Sequence, residues 1–288
     1  MMPPAAAPSL GAAVLARDEA AFLAPCLASL AWVDELLVLV DARTTDDTAA
    51  IARRYTPRVY ILPFESFPRC RNRALALART DWVFFVDADE RVPPALAAEA
   101  RQAVARAARD GTAGYWVPRR NRICGRWVRG AGWSPDYQLR LLRREAARYP
   151  CDQLVHEVAV VDGPVGWLRQ PLLHDNYATL REFVRKQRCY ATLEAWTRWQ
   201  RGEQARARAY LGQPLREFWR RYVTLRGYQD GALGFLLAAY LAYAALLRTR
   251  TLARLWRRYG APPQPGRARE AQRAERSAAG VIMEGAQI

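Results

Sequence analysis

The chain has 288 residues, a length that suits one large domain or a domain with an extension. It is 51% hydrophobic and 25% charged, which excludes a disordered or collagen-like chain. The formal charge is +16 and Lys186 is the single lysine, so an arginine-rich surface attracts an anionic partner, nucleic acid or acidic lipid.

Residues 11–16 (Gly-Ala-Ala-Val-Leu-Ala) read as a short buried strand that ends at Arg17-Asp18-Glu19. A helical pattern follows, with Phe22, Leu23, Cys26, Leu27 and Leu30 on one face. The apolar run from Glu35 to Val40 is a second strand, ending at Asp41. The polar stretch Asp41–Thr48 leads into another helix, its Asp and Thr residues suiting an N-cap. Val59–Leu62 is a third strand, residues 69–79 a helix, and Trp82–Val86 a fourth strand that ends in Asp87-Ala-Asp89-Glu90.

Strands alternating with helices imply right-handed βαβ units and a mostly parallel sheet. Carboxylates recur just past three strand ends, and open α/β sheets bind ligands outside those ends, so one crevice is expected to gather them. The plain alternative for each is a helix cap. No Gly-rich phosphate loop follows these strands, which argues against dinucleotide and P-loop chemistry. Asp87-x-Asp89 can instead hold Mg²⁺ or Mn²⁺, a cation that bridges carboxylates to substrate phosphates and neutralises a leaving diphosphate. Five cysteines without a CxxC pair argue against a disulfide framework and fit a reducing cytoplasm. The first 16 residues lack the basic region of a signal peptide. The two histidines, His156 and His174, are not at zinc-ligand spacing from any cysteine.

The stretches Ala16–Ala20, Cys26–Leu30, Val40–Thr48, Arg71-Asn72 and Asp81–Glu90 resemble family 2 glycosyltransferases of the GT-A fold. Tyr137–Arg143, Val155-His-Glu157, Leu173-His174 and Gly227-Tyr-Gln-Asp-Gly231 are similar to the branch that includes lipopolysaccharide core β-glucosyltransferases. The resemblance spans about residues 10–250 and implies a GT-A α/β fold with helices on both sheet faces. It implies that Asp41 contacts the base or ribose of a nucleotide sugar and that Glu19 lines the same pocket, with Asp46, Arg71 and Arg140 also in the nucleotide-sugar site. Asp87 would meet ribose or metal, Asp89 the metal, and His174 the metal or diphosphate. Two positions depart from the family pattern: Asp18 where Asn is usual, and Asp47 where Gly is usual, the latter adding negative charge near the diphosphate.

An inverting transferase needs a base for the acceptor hydroxyl. Glu157 is the first choice, Asp136 the second; a surface salt bridge is the plain alternative for Glu157. Arg140 and Arg143 suit bidentate phosphate binding, or a strand edge with solvated arginines. Trp116, Trp127 and Trp133 suit an acceptor sugar or a lid core, with at least one expected in the core.

Residues 178–210 read as a long helix or a pair of helices. The segment Gly231–Leu247 carries no charge over 17 residues, about 26 Å as a helix and short of a ~30 Å hydrocarbon core. From 201 to 260, twelve arginines face only Glu203, Glu217 and Asp230. Arginines interleaved with aromatics suit an anionic membrane interface; the alternatives are a buried helix and a true span. The expected organisation is a transferase domain over 8–176, a helical membrane-associating extension over 177–260 and a flexible tail over 261–288. The expected activity is metal-dependent, inverting hexosyl transfer, from a nucleotide sugar with UDP favoured, to a lipid-linked saccharide. The expected place is the inner face of the cytoplasmic membrane, with no nucleic acid as partner; a basic nucleic-acid-binding protein and an inactive transferase-like scaffold are the rivals.

Overall fold

The structure is a computed structural model that describes residues 7–151 and 158–262. In chain order the elements are β1 (Leu10–Ala16), α1 (Ala20–Ala28), β2 (Glu35–Asp41), α2 (Thr48–Arg53), β3 (Val59–Leu62), α3 (Phe67–Leu77), β4 (Trp82–Asp87), β5 (Glu90–Arg91), α4 (Pro94–Asp110), β6 (Gly114–Ile123), β7 (Arg126–Trp127), β8 (Asp136–Arg143), β9 (Ala147–Arg148), β10 (Val160–Val161), β11 (Val165–Trp167), β12 (Leu172–Tyr177), α5 (Leu180–Gln200), α6 (Ala209–Trp219) and α7 (Gly231–Tyr259). They divide into two compact units, residues 1–121 with 135–176, and residues 122–134 with 177–288.

The first unit is built on a sheet of order β3-β2-β1-β4-β8-β6-β12-β5. Its first four strands are parallel; β8 turns antiparallel to β4, and β6 antiparallel to β8. Side chains alternate across a strand, so β4 sends Trp82, Phe84 and Val86 to one face and Val83 and Phe85 to the other. The first face packs on α1 and α4 through Leu23, Leu27, Leu96, Ala100 and Val104. The second packs on α3 through Ala74 and Leu75. Burial on both faces is why β1, β2 and β4 read as unbroken apolar runs. Phe84 and Phe85 are fully buried, contributing roughly 1.5–3 kcal/mol each.

Local chemistry sets the helix ends. Pro94 opens α4 and Gly111 closes it in the left-handed region, φ 74°. Thr179 caps α5 by accepting from Glu182 N–H (3.1 Å), and Glu182 returns to Ala178 N–H (2.8 Å).

The second unit is helical. Its core joins Ile123, Val128, Tyr177, Phe183, Leu233, Leu237 and Leu241, and a further cluster joins Ala195, Trp199, Leu252 and Leu255. The uncharged run 231–247 therefore lies in a helix that packs one face inward. By length and composition the helix Gly227–Tyr259 could cross a membrane, and under half of its most apolar stretch is buried. Gly234 sits where a Cβ would collide with the Gly227 carbonyl, and Asp230 accepts from Arg129 N–H (2.9 Å) and Gly130 N–H (2.8 Å). The Gly227–Gly231 motif thus serves close backbone packing and anchors residues 129–130.

Candidate active site

Parallel pairing sets the three strand ends on one edge: Leu15 lies opposite Asp87, and Ala16 opposite Val40. Arg17-Asp18-Glu19, Asp41 and Asp87 therefore share that edge.

The two loops after β1 and β2 are stapled together. Asp18 adopts φ +53°, a left-handed conformation that Asn and Asp tolerate, and accepts from Thr45 N–H (2.8 Å). Asp46 accepts from Ala20 N–H (2.9 Å) and Thr48 N–H (3.0 Å), and Glu19 N–H donates to Thr48 Oγ1 (2.8 Å). Burial opposes the Asp46 charge, but the Thr48 hydroxyl, which also donates to it, and these backbone N–H groups prevail and hold its pKa below the ordinary value. Asp47 precedes α2 with φ −74°, so this position needs no glycine. Asp41 is buried; Arg43 grips its carboxylate, with Nη2 at 2.7 Å, and Arg17 Nε stands 3.7 Å away. Desolvation pushes the Asp41 pKa up, but the Arg43 contacts outweigh it and the net shift is down.

Past β4, Arg140 from β8 binds both carboxylate oxygens of Asp87, one at 2.9 Å, and Arg71 from α3 approaches at 3.5 Å. Glu90 is fully buried; it accepts from Asp87 N–H (2.9 Å) and from Arg119 (3.3 Å), with Arg140 at 3.7 Å. Burial disfavours the charge on Asp87, yet Arg140 and Arg71 hold its pKa well below the carboxylate range. Burial, with the Asp87 charge added, raises the pKa of Glu90. Asn72 pins the 149 segment, donating to Tyr149 C=O and accepting from Tyr149 N–H, both at 2.8 Å.

On β6 and β8 a polar ladder faces this cluster. Arg119 lies opposite Asp136 in register and donates to it at 2.9 Å; Asn121 (3.0 Å) and Gln138 (2.9 Å) donate to the same carboxylate. Burial raises the Asp136 pKa, but Arg119 leads the opposing contacts that lower it overall. Asn121 Oδ1 meets His174 Nδ1 at 2.7 Å, and His174 Nε2 meets Asp89 Oδ2 at 3.3 Å. Burial disfavours the imidazolium, yet Asp89 reverses this and raises the His174 pKa. Asp89 and His174 thus point a carboxylate and an imidazole at one place, while Asp87 spends both its oxygens on Arg140. Among the described residues no cluster of three or more His, Cys, Asp or Glu side chains forms a ready metal cage. Asp89 and His174 supply one carboxylate and one imidazole, so a divalent cation held there would need further oxygen ligands from the substrate.

The sequence model of glycosyl transferase family 2 matches residues 12–161. The chain is 31% identical over 267 residues to the lipopolysaccharide core biosynthesis glycosyltransferase LpsC of Rhizobium meliloti (strain 1021), covering 89% of this chain and 95% of that protein. The chain belongs to glycosyltransferase family 2. Among solved structures the transferase is similar to S. aureus TarS, 17% identical over 86% of this chain and 55% of that chain, with a TM-score of 0.44. It is also similar to glucosyl-3-phosphoglycerate synthase from Mycobacterium tuberculosis in complex with Mn²⁺, UDP-glucose and glycerol 3-phosphate, 23% identical over 41% of this chain and 46% of that chain, with a TM-score of 0.33. The GT-A fold class expected from the sequence is the one observed: an α/β sheet covered on both faces, followed by a helical region.

Of the site residues expected for the transferase, Asp87, Asp89, Arg71, Arg140, His174 and Asp136 fall in one hydrogen-bonded neighbourhood, and Glu19, Asp41 and Asp46 line the first two strand ends. Glu157 lies outside the described residues. Arg143 ends β8 exposed, unlike buried Arg140. Trp133 packs edge-on to Tyr177 and Phe183, as expected of at least one tryptophan, whereas Trp116 stacks on Trp167 at 5.4 Å. Sequence reasoning assigned no role to Arg119, Asn121, Gln138 or Arg43, and none to Glu90 beyond its place after the DxD motif. The signal for β8 was present: Asp136, Gln138 and Arg140 alternate at a period of two, one polar face of a strand.

Proposed function

We propose that this transferase moves a hexose from a nucleotide diphosphate sugar, with UDP the favoured nucleotide, onto a lipid-linked saccharide of lipopolysaccharide core type. The observation that supports this best is the end-to-end likeness to LpsC, joined to the carboxylates that the sheet gathers on one edge. Reaction occurs with inversion: the acceptor oxygen attacks the anomeric carbon from the face opposite the diphosphate. Asp41 receives the base or ribose. Asp89 with His174 would hold a divalent cation, which supplies charge neutralisation to the departing diphosphate. Arg140 and Arg71 keep Asp87 ionised and fixed beside them. Asp136 is a weak proton acceptor, because three donors occupy its carboxylate and its pKa is depressed. Its work is to orient Arg119 and Asn121, and through Asn121 the His174 ring. The base role accordingly rests with Glu157. Work on a lipid-linked acceptor places the chain peripherally on the cytoplasmic membrane face.

The test is a thermal-shift series with UDP-, GDP-, ADP- and TDP-sugars, with and without Mn²⁺, followed by transfer to a purified lipid-linked core acceptor. A ligand bound only by the folded state adds about 2.7 kcal/mol at 100 times its Kd. A Mn²⁺-dependent shift with one nucleotide and label transfer are expected, both lost in Asp89→Asn. Full metal-dependent transfer by Asp89→Asn would refute the metal assignment, and absence of transfer from any sugar nucleotide would refute the reading.

A further inference from the structure

The second unit exposes apolar surface where a self-sufficient helical unit would bury it. Leu211, Leu215 and Trp219 recur every four residues on α6, one face of a helix, and are 76%, 70% and 64% exposed. Val223 continues the row into the π-helical turn that follows. The patch is continuous with the start of α7. Phe218 and Tyr222 stack at 5.4 Å, both meet Phe235 edge-on, and Tyr222 meets Tyr228, with Phe235 and Tyr228 about half exposed. An exposed apolar row of this extent marks an interaction site.

The charge carried by α6 and α7 says what partner the row fits. Tyr210 on α6 shares a cleft of about 270 Å³ with Arg250, Arg254 and Arg257, which follow one another along a face of α7. These three arginines are exposed, and among the described residues no carboxylate pairs with them. Arg216 on α6 and Arg208 just before its first turn are likewise exposed. A helix with large apolar side chains on one face, a Trp among them, and arginines at its borders matches the interface of an anionic bilayer. There the apolar row enters the acyl boundary and each guanidinium takes headgroup phosphates.

We propose that α6, rather than the uncharged run of α7, is the element by which this protein docks on an anionic lipid surface. The proposal rests on the reading of the chain as a transferase for a lipid-linked acceptor. α7 turns Leu233, Leu237 and Leu241 into the core of the second unit, while Phe235 and Leu236 on its outer side stay about half exposed. The inserted row is Leu211, Leu215 and Trp219, and Arg250, Arg254 and Arg257 supply the preference for anionic headgroups.

The experiment is flotation of the full-length chain with vesicles of phosphatidylcholine alone and of phosphatidylcholine mixed with phosphatidylglycerol. The wild type is expected to float with the anionic vesicles. The triple variant Leu211→Glu, Leu215→Glu, Trp219→Glu should lose partitioning by about tenfold or more, since binding scales with the apolar area inserted. Its melting temperature and its thermal shift with the sugar nucleotide should stay unchanged, because the three side chains are exposed. The variant Arg250→Gln, Arg254→Gln, Arg257→Gln should lose the preference for phosphatidylglycerol and become less sensitive to salt. Partitioning of the first variant equal to wild type overturns the proposal, as does a wild type that binds no anionic vesicle. A dimer in sedimentation that the first variant abolishes also overturns it, since a second copy would then cover the row. The sugar-nucleotide shift, read in the same samples, separates failure of the docking proposal from failure of the transferase reading.

Discussion

Replacing Arg140 by Met tests the electrostatic account of the site most directly. Arg140 is buried, binds both oxygens of Asp87 and lies 3.7 Å from Glu90. Met keeps much of the volume and removes the charge, leaving two carboxylates without their main cation. Breaking a buried pair from one side costs about 3–5 kcal/mol. Asp87 keeps a third of its side chain in solvent, so the fully buried Glu90 carries most of the penalty and the lower end, about 3 kcal/mol, applies. At roughly 2–4 °C per kcal/mol for a domain of 150–250 residues, the first unit should melt about 10 °C lower by calorimetry. The deficit should depend on pH. In the wild type the Asp87 pKa is depressed, so its contribution is present above the unfolded-state pKa and is lost only as pH falls through the lower folded value. In the variant the main cation is gone, with only Arg71 and Arg119 left, so the pKa of each carboxylate rises. The penalty is then largest near neutral pH and shrinks towards about pH 4 as they take up protons. Arg140→Lys, which keeps charge without the fork, should fall between. A loss below about 1 kcal/mol, or a deficit equal at about pH 7.5 and pH 4.5, would show that Arg140 does not neutralise this cluster.

The other expectations concern separate parts of the chain. Glu157→Gln should abolish sugar transfer while preserving the thermal shift with the donor; Asp136→Asn should reduce transfer and also lower the melting temperature, and the reverse pattern would exchange their roles. Gly234→Ala forces a Cβ against the Gly227 carbonyl and should cost about 1–3 kcal/mol, read as earlier unfolding of the second unit; an unchanged melting profile would contradict the close approach. Asp230→Ala leaves the Arg129 and Gly130 N–H groups without their acceptor and should cost about 1–3 kcal/mol, with faster hydrogen exchange at those two amides.

Much of the first unit is legible in the residues themselves. The runs ending at Ala16, Asp41, Leu62 and Asp87 are apolar on both faces, which short parallel strands require, and the observed strands coincide with them to within a residue. The carboxylates after those runs share an edge because parallel strands point the same way. Asp18 and Asp47 were departures from a family pattern; backbone angles explain how each fits, one in a left-handed position and one at an ordinary negative φ. The partners of the carboxylates were not legible. Arg119 meets Asp136 only through antiparallel register, and Arg140 reaches Asp87 from 53 residues away.

In the second unit, composition identified arginines interleaved with aromatics but assigned the membrane role to the uncharged run as much as to its surroundings. A helix of Leu, Ala and Tyr has the same sequence whether it faces protein or lipid, so only packing on Phe183 and Tyr177 decides that α7 turns inward and α6 keeps its leucines outside. Thus the sequence by itself determined the strands, their terminal carboxylates, the family and the overall charge, because these follow from local patterning and residue chemistry. The tertiary structure alone decided which charges are neutralised and which apolar face is left uncovered, because both depend on neighbours distant in the chain.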